Sequence, residues 1–307
     1  MEQTLVIGST CADVIITVER LPKTAEDIHI LTQSLALGGC AFNAANILRQ
    51  AQVPVTFITP VGGGLYGEFV AKGLAERGFA DRVPVAGENG CCYCLVEAGG
   101  ERTFLCLRGV EYTFDPRWLI PYEREPFARV YVCGLEIEAA DGEALVSYLA
   151  AHPEREKWFA PGPRLLEIPP KRLRRLLDLK PVVHLSEQEA RTLSGLLTAQ
   201  GQKTADMAVA AAQIQAVTKN TVIVTLGERG AYCLERDNAG WYVPGQAIQA
   251  VDTIGAGDAH IGAILAGLGL GLPLRTAVAA AGQIAAAVVA QKGASLPDDY
   301  FLRHPLQ

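Results

Sequence analysis

Short apolar runs recur along the chain, each closed by a glycine or a polar residue and separated from the next by a longer amphipathic stretch. Thr4 to Gly8, Val53 to Ile58, Arg129 to Cys133, Lys157 to Ala160, Val182 to Leu185 and Thr221 to Thr225 read as buried strands. Ala44 to Gln50 and Ala205 to Thr218 carry helical spacing between them. This alternation predicts an α/β, doubly wound, mostly parallel sheet with helices on both faces. Two segments, about 14–37 and 91–110, instead alternate like antiparallel strands, the second around a Gly99-Gly100 turn. They are expected to meet as a small β-sheet lid inserted in a single domain of residues 1–307; two unrelated surface hairpins are the alternative.

Composition narrows the class. Of 307 residues, 50% are hydrophobic and 20% charged, enough for a full globular core. A formal net charge of −6 argues against nucleic acid as a partner. The basic run Lys171 to Arg175, read with Leu173, Leu176, Leu177 and Leu179, fits the solvated face of an amphipathic helix. The apolar stretch Ile261 to Ala290 is interrupted by Pro273, Arg275 and Gln283, leaving pieces shorter than the roughly 20 residues a membrane span needs. Two buried helices of small residues are the reading there. The start Met1-Glu2-Gln3 runs straight into a strand without the basic and apolar regions of a signal peptide, so a cytoplasmic location is expected. Eight cysteines lie mostly in apolar, strand-like stretches, where reduced thiols behave as small hydrophobes. Cys91, Cys92 and Cys94 lack a second ligand pair or a histidine at finger spacing, which argues against zinc.

The chemistry concentrates in Asp252-Thr253-Ile254-Gly255-Ala256-Gly257-Asp258. Small residues at 255 to 257 let backbone N–H groups approach an anion, and a following helix aims its positive end at the same point. A carboxylate beside a phosphate is repelled by it, so Asp258 fits a base for an attacking hydroxyl better than a phosphate ligand. Gly38-Gly39 followed by Asn43 places a tight turn before a helix, and Asp13 follows the first strand, where open α/β sheets bind ligands. Such a carboxylate can accept two hydroxyl hydrogen bonds at once. Glu187 and Glu189 follow another strand; one of them can hold a magnesium-bound water, and helix-start carboxylates are the plain alternative. Thr225-Leu226-Gly227-Glu228-Arg229-Gly230 can lie along a nucleotide or simply turn a hairpin.

In this order these motifs resemble the ribokinase-like (PfkB) carbohydrate kinases, from about residue 4 to 297. The resemblance implies ATP-dependent phosphorylation of a primary hydroxyl on a sugar or sugar-like metabolite, or on a nucleoside. It implies Asp258 as base, the amides of Gly255, Ala256 and Gly257 as anion hole, and Asp13, Gly39 and Asn43 around the acceptor. Thr225, Gly227 and Gly230 would bind ATP, with Ser186 standing where the family's N-x-x-E motif has asparagine and Glu189 acting through Mg2+. Gln283 sits on the helix resembling the one beside adenine, and Asp252 with Gly293 resembles a K+ site. Arg164 resembles an arginine near the transferred phosphoryl group, and Glu136 occupies a strand end that contacts sugar in ribokinase. Arg102 lies on the lid, either solvated or facing a substrate anion, while Phe42, Tyr93 and Phe104 offer faces for a base. Cys40 replaces the lysine of ribokinase's G-G-K, so ribose is not implied, and Val61 to Gly67 lacks the acidic residues common after V-G. Exposed lid edges invite a homodimer. A non-catalytic sugar- or nucleotide-binding regulator is the rival from a different class.

Overall fold

The computed structural model describes residues 1–198, 204–237 and 239–306. In chain order the strands are β1 (Thr4–Ile7), β2 (Cys11–Val18), β3 (Thr32–Gly38), β4 (Val55–Gly63), β5 (Arg82–Glu88), β6 (Cys91–Glu97) and β7 (Arg102–Leu107). They continue with β8 (Arg129–Cys133), β9 (Glu156–Ala160), β10 (Val182–Ser186), β11 (Val222–Thr225), β12 (Ala231–Leu234) and β13 (Trp241–Val243).

Nine of these form one sheet in the order β13-β12-β11-β10-β9-β8-β1-β4-β5. Its strands are parallel from β5 to β11; β12 then turns back antiparallel to β11, and β13 pairs antiparallel with β12. β1 is buried on both faces because alternate side chains feed two cores: Val6 joins one, Leu5 and Ile7 the other. Helices Cys40–Gln50, Ala256–Gly269 and Leu274–Val289 cover the first face through Phe42, Ile261 and Ile284; helices Gly142–Ala151, Pro170–Asp178, Glu187–Leu197 and Met207–Thr218 cover the second. The chain leaves β1 toward β4 on one side and returns to β8 on the other. A crevice for ligands therefore opens outside the C-terminal ends of β1 and β8, where strand order reverses. Among the described residues no helix is long and apolar enough to cross a membrane.

The remaining four strands form a second sheet in the order β3-β2-β6-β7. It differs from a purely antiparallel lid. β2/β3 and β6/β7 are antiparallel, but the hairpins join through a parallel β2/β6 pair. The sheet also begins at Cys11 rather than Val14, so Asp13 lies inside a lid strand and not in a loop beyond β1. Directly opposed residues share a face. Val14, Leu37 and Tyr93 pack onto the core. On the other face Asp13 opposes Cys92, Cys92 opposes Cys106, and Val96 opposes Arg102.

Candidate active site

Gly255 caps the helix Ala256–Gly269 with φ 73°, a left-handed backbone that a side chain disfavours. The helix therefore starts abruptly. Ala256 N–H makes only a long 3.4 Å turn bond to Thr253, and the first-turn amides point where an anion would sit. Asp258, in that first turn, accepts a 2.9 Å hydrogen bond at Oδ2 from Asn43 Nδ2. Burial pushes its carboxyl up; hydrogen bonds from Asn43 and Cys40 oppose the shift. Two helices thus hold a carboxyl of raised basicity at the start of the helix.

Opposite it stands Asp13. A Cβ at Gly38 would collide with the Asp13 carboxylate, so glycine there lets lid and turn close on each other. Burial first, then repulsion from Asp258, pushes Asp13 up to about 7. Gly39 has φ 102° and precedes the helix that presents Asn43, and a Cβ there would press on the Ser9 carbonyl. Glu136 accepts at Oε1 from Ser9 N (2.8 Å) and Ser9 Oγ (2.9 Å). Among the described residues, Glu136 Oε2 and Asn43 Oδ1 are buried acceptors without a partner. Such atoms cost free energy unless a donor reaches them, which a hydroxyl-rich ligand can supply.

On the other side of the helix start is a cavity of about 330 Å³. Thr225, Gly227 and Gly230 line it, with Thr253, Ala256 and Gly257 at its inner end. Its far wall runs from Val243, at the end of β13, through Pro244 to Ala250, irregular chain that sequence periodicity does not reveal; only the Pro244-Gly245 pair marks it. Gln283 does not line this cavity. Val278, Gly282 and Val289 share the helical face that does, and Gln283 is turned out to solvent. Ser186 caps the helix Glu187–Leu197 in a capping box with Glu189, so its hydroxyl serves the helix. Burial, with a smaller push from Asp258, raises the Glu189 carboxyl; Glu187, held down by Arg191 and Arg229, is already paired. Glu189 is half-buried and feels Asp258 as a like charge, a balance that a divalent cation would complete, so Glu189 fits magnesium better than Glu187 does. Under this end, buried His184 and His260 share a 2.9 Å hydrogen bond between Nε2 and Nδ1 that ties β10 to the Asp258 helix. Burial holds His260 down to about 4.

Arg102 is neither solvated nor aimed at an open pocket. It crosses from the lid to pair with Asp252 at 2.9 Å, with both side chains nearly buried. Asp252 also accepts from Ile254 N (2.8 Å) and Gly293 N (2.9 Å). Both of its oxygens accept hydrogen bonds and a guanidinium already stands against one of them, so the negative charge that potassium would meet there is already matched. No sequence signal links residues 102 and 252. Arg164 is paired with Glu138 at 2.7 Å rather than turned toward Asp258. Phe42 is fully buried against Phe79, and Tyr93 bonds Tyr66 on the lid face that packs against the core, opposite to the face carrying Asp13, so neither presents a ring to the acceptor. Phe104, opposite Cys94, does lie on the inner face.

Residues 1–299 match the family described as pfkB family carbohydrate kinase. The uncharacterised sugar kinase YegV of Escherichia coli (strain K12) is 34% identical over 293 residues, covering 95% of this chain and 90% of that protein. The structure of Arabidopsis thaliana ribokinase complexed with ribose and ATP superposes with a TM-score of 0.80 at 21% identity, over 98% of this chain and 97% of the other. A Burkholderia thailandensis nucleoside kinase in complex with inosine gives a TM-score of 0.76 at 20% identity, covering 95% and 91%.

Proposed function

Because the chain belongs to the pfkB family of carbohydrate kinases, we propose that it transfers the γ-phosphoryl group of ATP to a primary hydroxyl of a sugar, with Asp258 as the base. One observation carries this reading: Asp258 stands between the cavity that ends at Ala256 and Gly257 and a cluster of acceptors formed by Asp13, Asn43 and Glu136. ATP lies along Thr225, Gly227 and Gly230 with its phosphates at the helix start. Asp13 accepts two acceptor hydroxyls, Asn43 Oδ1 and Glu136 Oε2 take further donors, and the Gly39 turn closes around them. As the remaining hydroxyl oxygen attacks phosphorus, Asp258 takes its proton, and the amides of Gly255, Ala256 and Gly257 stabilise the charge on the transferred group. Arg164 joins them only by leaving Glu138. Glu189 would hold magnesium, which would supply charge neutralisation at the nucleotide phosphates. Lid and core act as one catalytic unit, the lid excluding water.

A polyol is favoured over a nucleoside because two of the three candidate base-stacking rings are turned away, leaving only Phe104. ADP release from Mg-ATP across sugars and nucleosides tests this, and turnover confined to nucleosides would overturn it.

Activity follows the two raised carboxyls. Both must be ionised to work, and each folded value lies above its ordinary one, so kcat/KM for the acceptor falls as pH drops through about 7. A profile flat from neutrality down into the usual carboxylate range would contradict this assignment.

The cationic role at Asp252 belongs to Arg102, so the rate is the same with potassium or without it. Arg102→Ala removes that cation and loosens the lid; it lowers kcat/KM and makes the remaining rate rise with added potassium. Steady-state assays in potassium-free buffer read both effects.

Among the described residues the lid edges β3 and β7 are unpaired, and β7 exposes Leu105 (56%) and Leu107 (58%). A homodimer through this sheet covers them, and light scattering on the full chain gives twice the monomer mass if so. Eight free thiols support a reducing, cytoplasmic setting. The acidic net charge supports a small molecule, not nucleic acid or a membrane, as partner.

A further inference from the structure

Sequence spacing argues against a metal at the cysteines of β6, because it offers no second ligand pair. Folding supplies one. The parallel β2/β6 register sets Asp13 opposite Cys92, and the antiparallel β6/β7 register sets Cys106 on the other side of Cys92. Cys94, two residues along β6, projects to the same face.

The distances are those of a coordination shell. Cys92 Sγ and Cys94 Sγ are 3.8 Å apart, Cys106 Sγ is 3.5 Å from Cys92 Sγ, and the ligand atoms of Asp13, Cys92 and Cys94 all lie within 4.8 Å of one another. Two thiolates on a tetrahedral zinc ion, with Zn–S of about 2.3 Å, stand about 3.8 Å apart. Asp13 feels Asp258 as its charged neighbour, and a cation would relieve that repulsion.

We propose that the inner face of the lid binds a soft divalent cation of the zinc class through Asp13, Cys92 and Cys94, with Cys106 beside the fourth position. Binding replaces the thiol protons: one cation enters, Cys92 and Cys94 each release a proton to solvent, and no electrons move. Thiolate donors select zinc or cobalt over magnesium, which keeps to oxygen, so this site is distinct from the one at Glu189. Occupation takes the Asp13 oxygens out of the acceptor pocket, so the cation inhibits phosphorylation in competition with the acceptor. That last consequence rests on the reading of Asp13 as the acceptor's ligand; the binding itself does not.

Titration of the full reduced chain with Co2+ in ATP-free buffer tests the site. We expect a thiolate-to-cobalt charge-transfer band, displaced by Zn2+ and absent in Cys92→Ser. Exposed Cys106→Ser, which guards against misfolding of the first variant, weakens Co2+ binding by about 10- to 100-fold, as loss of a neighbour to a ligand set does. No band, or a band that both variants retain at full affinity, overturns the proposal. A second arm measures the acceptor KM in buffered Zn2+: it rises in the unmodified chain and not in Cys92→Ser. Cobalt binding without that rise would keep the site and overturn the role of Asp13 toward the acceptor.

Discussion

Asp258→Asn lowers kcat by about 10²- to 10⁴-fold, the range for loss of a general base, and leaves the affinity for ATP unchanged. The nucleotide cavity reaches Ala256 and Gly257 but is not lined by Asp258. The substituted amide keeps the size of the carboxyl, and its oxygen still accepts from Asn43 Nδ2, so the helix start is undisturbed. What is lost is the proton acceptor. Stability moves the other way. Burial raises the Asp258 carboxyl above its unfolded value, so between those two values the native chain binds more protons than the unfolded one and stability falls as pH rises. Removing the charge relieves this cost, and the variant melts higher than the parent at neutral pH. A lower Tm together with lost activity would point to a structural role instead.

Asp13→Asn lowers kcat/KM by about 10²- to 10⁴-fold, and the loss falls on the acceptor KM. Two hydrogen bonds to a charged acceptor contribute roughly 1.5–3 kcal/mol each, and about 1.4 kcal/mol is tenfold. The KM for ATP stays as it was, because Asp13 sits on the lid strand β2 and not on the cavity wall. The linkage has the same sign as for Asp258: the folded value near 7 lies above the unfolded one, so the substitution raises Tm above that pH while weakening acceptor binding. Differential scanning calorimetry beside initial-rate kinetics separates the two effects. Equal losses in the KM values of both substrates would contradict the placement of Asp13 at the acceptor.

The helix start at Gly255 and the cavity beside it were legible because their geometry is written in adjacent residues. A left-handed Gly255, small neighbours and an acid in the first turn of the helix mean the same thing before and after folding. The alternating sheet was legible for a similar reason: period and punctuation are local. Side-chain direction was not. Phe42 and Asn43 are neighbours in sequence, yet the helical turn sends one into the core beside Phe79 and the other to Asp258. The same rotation puts Gly282 on the cavity wall and Gln283 in solvent. Contacts across the lid were invisible altogether, because Arg102 meets Asp252 only once the β6/β7 hairpin arches over the core. The thiol row of Cys92 and Cys106 likewise exists only through strand register.

The central claim is that Asp258 deprotonates a sugar hydroxyl for attack on ATP, and ADP release from Mg-ATP across a panel of sugars and nucleosides, run with Asp258→Asn in parallel, tests it most directly. The account predicts turnover on a sugar bearing a primary hydroxyl that the substitution abolishes while calorimetry shows ATP still bound. ATP binding without turnover on any member of the panel, or turnover that survives Asp258→Asn, would contradict it and favour a chain that binds its ligands without catalysis or catalyses without this base.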